Sequence, residues 1–71
     1  MIKSDRELRA TLERIAHFQE QIAYLRRMEA NPVYYRLAVS GFLAEIDRMN
    51  LEVREYLSLL PSELEEATIP A

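Results

Sequence analysis

Residues 35–60 read YRLAVSGFLAEIDRMNLEVREYLSLL, and this stretch decides the fold. Within it Tyr35, Val39, Phe42, Ile46, Met49, Val53, Tyr56 and Leu60 follow one another at spacings of 4, 3, 4, 3, 4, 3 and 4. Residues three and four apart share one face of an α-helix, so these eight side chains form a single apolar stripe. A period of 3.5 residues keeps such a stripe aimed at a partner helix in left-handed, coiled-coil-like packing.

The partner lies upstream. Leu8, Leu12, Ile15, Phe18, Ile22 and Leu25 recur at spacings of 4, 3, 3, 4 and 3, flanked by Ala23 and the methyl of Thr11. Ser4-Asp5-Arg6-Glu7 fits a capping box, in which a serine caps and a glutamate three residues on reaches back. Asp5 and Glu7 also place negative charge at the positive end of the helix dipole. The far face carries Arg6, Glu13, His17, Glu20 and Tyr24, and Asp5/Arg9 and Arg9/Glu13 stand at ion-pair spacing.

Between the stripes, Ala30-Asn31-Pro32 ends one helix and starts the next. The residue before a proline is pushed out of the helical region, asparagine is a good N-cap, and proline suits the first helical position. So short a break demands antiparallel neighbours. The expectation is an all-α, long antiparallel two-helix hairpin in a single domain over 1–71. Helix 1 covers about 4–29 and helix 2 about 32–60, followed by an acidic tail over 61–71 that contains a second capping pattern, Ser62-Glu63-Leu64-Glu65. Pro61 is read as the helix terminator, and Thr68 to Ala71 as frayed.

Composition supports this class. The chain has 71 residues, 49% hydrophobic and 30% charged, with one Gly, three Pro and no Cys. Neither disulfides nor a thiolate metal site can staple so small a core, so stability must come from long helices or from a second chain. A second chain is suggested by Leu37, Ala44 and Leu51, which lie seven apart on the face of helix 2 opposite the stripe, with Val33, Ser40 and Gly41 beside them. A glycine inside a helix is unfavourable unless another backbone comes close. Leu37, Gly41, Ala44 and Leu51 are therefore read as a dimer interface, two hairpins forming a four-helix bundle.

Catalysis finds no support in the residues present. His17 is the only histidine, with Glu13 its sole local partner, and one glycine cannot build a phosphate loop. No Glu-x-x-His occurs, which argues against a bundle metal site. The reading is no enzyme, no cofactor and no metal. Net charge is −3, divided as +1 over residues 1–30 and −4 over 31–71. That offers no surplus of cations for phosphate contacts and disfavours nucleic acid as a partner. Arg26, Arg27 and Arg36 near the hairpin tip keep a nucleic-acid-binding hairpin dimer as the alternative, and Tyr34 is a candidate partner contact. Short apolar runs and the absence of a signal-peptide pattern in Met1 to Asp5 predict a cytoplasmic protein with no membrane partner.

The opening Met1-Ile2-Lys3-Ser4-Asp5-Arg6-Glu7-Leu8 and the later Leu51-Glu52-Val53-Arg54-Glu55-Tyr56 resemble segments of short bacterial helical proteins. Some of those form the N-terminal region of repressor-type, antitoxin-like helix-turn-helix regulators. The resemblance implies a small regulator, but no recognition-helix domain follows Leu60, so DNA binding is not carried over. The plan also resembles Rop-type RNA-binding hairpins, which dimerise into bundles. The function expected is a non-catalytic oligomerisation or protein-interaction module, alone or as a small part of a larger assembly.

Overall fold

The computed structural model describes residues 1–63. It contains two helices, α1 (Asp5–Met28) and α2 (Pro32–Leu57), which pack against each other. Their antiparallel course is fixed by pairs far apart in sequence. The Tyr56 hydroxyl donates to Asp5 Oδ1 at 2.7 Å, and the Phe18 and Phe42 rings lie 5.6 Å apart at 47°. Glu65, Glu66, the end of the second capping pattern and the frayed ending lie outside the described residues.

Local chemistry sets the helix ends. Ser4 Oγ accepts from the Glu7 N–H at 3.2 Å, which satisfies one orphan donor of the first turn. Glu7 reaches one residue further back than a capping box requires, accepting from the Lys3 N–H at 2.5 Å. Asn31 Oδ1 accepts from both Val33 and Tyr34 N–H groups, at 2.9 and 3.3 Å, with Pro32 directly following. The three-residue turn is tied further by Glu29, whose Oε1 accepts from the Asn31 N–H at 3.0 Å.

The sequence expectation differs from the structure at the end of α2. The helix stops at Leu57, not at Leu60, and Leu60 is exposed. Ser58 closes it, its N–H donating to the Arg54 carbonyl at 3.0 Å. Leu60 precedes Pro61, which disfavours a helical backbone there. By the Asp5–Tyr56 register it would also face residue 1, beyond the start of α1. The next turn opens at Pro61, not at Ser62: the Leu60 N–H donates to Glu63 Oε2 at 2.7 Å.

The core is a thin seam. Ile15, Ile46 and Met49 form its buried centre, with Phe18, Ile22 and Val53 packed on it, while Val39 is buried nearer the tip. Leu8, Leu25, Tyr35 and Tyr56 are half-buried along the seam. Phe42 is also only half-buried, although it stands in the middle of the α2 stripe. Two helices leave no third layer to cover a ring that projects past the seam, so Phe42 packs in a tilted pair with Phe18 instead.

Leu12 also departs from the expected core, at 47% exposure. The residue that enters the seam is Thr11, half-buried, with its hydroxyl donating to the Glu7 carbonyl at 2.9 Å. Through Thr11 the α1 stripe becomes Leu8, Thr11, Ile15, Phe18, Ile22, Leu25, spaced 3, 4, 3, 4, 3. This restores the period of α2, and the internal hydrogen bond lets a threonine present its methyl without leaving a polar group unpaired.

Candidate interaction surfaces

Burial sorts the side chains into a seam and three exposed regions. No polar or charged residue is buried among the described residues. His17, Glu13 and Glu20 are exposed, and no group of three or more His, Cys, Asp or Glu that could hold a metal occurs among the described residues. Only Arg48 forms ion pairs there, with Glu45 at 2.6 Å and Glu52 at 3.6 Å. The pairs read from spacing, Asp5/Arg9 and Arg9/Glu13, are not made, and Asp5 instead accepts from Tyr56.

The first region is the outer row of α2. Leu37 is 67% and Leu51 55% exposed, and Gly41 and Ala44 are exposed between them. A Cβ built on Gly41 would meet nothing within 4 Å, so the helix surface there is open and flat. The row is symmetric in sequence, with Leu37 and Leu51 each seven residues from Ala44.

The second is the hairpin tip. Arg26, Glu29, Ala30, Pro32 and Tyr35 line a shallow cleft there. Tyr24, Met28, Val33 and Tyr34 are exposed around it, and Arg27 and Arg36 are exposed as well. The Glu29 carboxylate lines the cleft beside Arg26 and accepts from the Asn31 N–H.

The third is the pair of edges along the seam, and they are unlike. One edge is closed by the N-terminal segment: Ile2 is 4% exposed, beside Glu7, Thr11, Arg14 and Glu52. Sequence periodicity gives no sign of Ile2, which precedes the helix cap and belongs to no stripe. The other edge is formed by the residues next to the seam on its far side, Leu12 on α1 and Leu43 and Leu57 on α2, all exposed.

At the open end of the hairpin the hydrogen bond to Asp5 holds the Tyr56 phenol above its ordinary pKa, with partial desolvation and the Asp5 and Glu7 charges adding to it. The carboxylate favours the protonated phenol because only that form donates. Comparison of the chain with protein-family models, with curated proteins and with solved structures finds no match to any.

Proposed function

We propose that the chain is a non-catalytic oligomerisation and protein-interaction module of regulatory type, which dimerises through the outer row of α2 into a four-helix bundle. The observation that carries this reading is the exposure of Leu37 and Leu51 about an open Gly41 and a central Ala44. With Ala44 on a two-fold axis, Leu37 of one copy meets Leu51 of the other, and both helices approach over small side chains. A thin seam of so few buried residues also gains from a second layer.

Sedimentation equilibrium at micromolar concentration tests the assembly. The expected result is a dimer, and Gly41→Leu separates the chains or shifts the pairing while circular dichroism stays helical. A wild-type chain that sediments at 8.3 kDa with full helicity overturns the dimer.

A further inference from the structure

The open edge of the hairpin has a charge pattern of its own. Leu12, Gln19 and Arg26 follow the α1 stripe at intervals of seven, and Arg36, Leu43, Asn50 and Leu57 follow that of α2. In an antiparallel pair these two rows lie on the same side of the seam. The positions just outside them on α1 include Arg9, Ala16 and Ala23, and those on α2 include Ser40, Asp47 and Arg54. The two helices form a shallow groove on this side, floored by Leu12 of α1 with Leu43 and Leu57 of α2 and edged by Ala16 and Ala23 of α1.

Four arginines lie on this face (Arg9, Arg26, Arg36 and Arg54) against two aspartates (Asp5 and Asp47), a local balance of +2 in a chain of −3. All four arginines are exposed, and none is ion-paired among the described residues. Asp5 is already engaged by Tyr56. The arginines fall in two pairs, Arg9 with Arg54 toward the open end and Arg26 with Arg36 toward the tip, about 25 Å apart along the axis at 1.5 Å per residue.

We propose that this groove binds an amphipathic α-helix of a different protein, one with an apolar stripe and acidic residues toward both ends. The inference rests on the reading of the chain as an interaction module and adds a surface and a partner class to it. A second copy of this chain is a poor occupant: a two-fold axis centred on the groove sets the arginines at each end against arginines of its mate. A protein helix fits better than nucleic acid because Leu12, Leu43 and Asp47 lie between the arginine pairs, where a phosphate backbone needs cations. The alanines let a third helix approach closely, and an apolar stripe laid on Leu12, Leu43 and Leu57 completes a three-helix layer.

The probe is a designed helical peptide of about 20 residues, long enough to span both arginine pairs. It carries leucine at stripe positions, glutamate in its first and last turns and lysine at its centre. A control exchanges the glutamates and lysines. Fluorescence anisotropy on the full chain is expected to show the acidic-ended peptide binding at least about tenfold more tightly. Leu43→Glu weakens it by a similar factor, with helicity confirmed by circular dichroism. Arg9→Glu with Arg54→Glu narrows or reverses the preference, whereas His17→Glu, on the far face of α1, leaves it unchanged. Equal affinity for the two peptides, no binding by either up to about 1 mM, or preferential binding of a DNA or RNA duplex overturns the proposal. Sedimentation of the wild-type chain keeps the outcomes separate. A wild-type monomer that keeps the peptide preference refutes the bundle alone, and a wild-type dimer without peptide preference refutes the groove alone.

Discussion

The two edges of one seam have different fates. On one side Ile2 lies beside Glu7, Thr11, Arg14 and Glu52 and is buried to 4% exposure. On the other side Leu12 and Leu43 flank the same buried Ile15 and Ile46, yet both remain 47% exposed. The helices contribute equally to both sides, so the difference comes from the four residues that precede α1. A two-helix hairpin cannot enclose its own core. Each edge needs a cover, and among the described residues the first four supply one and nothing covers the other.

The largest expected effect is at the centre that both edges share. Met49, among the most buried side chains, loses its packing in Met49→Ala at a cost of about 2–5 kcal/mol, read from urea unfolding. A cost below about 1 kcal/mol would mean that the seam does not hold the helices together. The covered edge comes next. Ile2→Ala removes a buried side chain worth about 1.5–3 kcal/mol, although it lies outside both helices. If that substitution proves neutral, the two edges are equivalent in solution and the comparison fails.

The presented edge gives a smaller number. Leu12→Ala changes the stability of the isolated hairpin by less than about 1 kcal/mol, against the much larger value that its place in an apolar repeat suggests. Thr11→Ala costs more than Leu12→Ala, because Thr11 supplies the seam contact. A reversal of that order would restore Leu12 to the core.

The smallest effect concerns Tyr56, where the two ends of the chain meet. Its folded pKa lies above the ordinary phenol value of about 10, chiefly through the hydrogen bond to Asp5. The stability it contributes is present in full below the unfolded value and is lost as pH rises through the folded one. Unfolding midpoints of the wild type therefore fall more steeply above about pH 10 than those of Tyr56→Phe. Parallel curves for the two proteins would show that the bond does not persist in solution.

Much of this architecture is legible in residue types and spacings alone. The α2 stripe from Tyr35 to Tyr56, the Ser4 and Asn31 caps and the Asn31-Pro32 break are local features, and each acts within a few residues of itself. Hydrogen-bonding geometry and the 3.5-residue period depend only on neighbours along the chain, so sequence determined the two helices and the turn between them. The outer row of α2 is visible for the same reason, being a period on a helix already defined.

Tertiary structure decided the rest. Leu12 and Thr11 are adjacent, and apolarity alone favours the leucine. Only the register against α2, which continues the 3-4 alternation through position 11, selects the threonine. Leu60 continues the α2 period perfectly and still falls outside it, because α1 has no residue left to face it. Phe42 keeps its place in the stripe but not its burial, since burial depends on how many layers surround a position. Ile2 belongs to no period and is buried because a chain segment happens to close one edge of the seam. Periodicity tells which way a side chain points, and contact with another part of the chain decides whether anything is there to meet it.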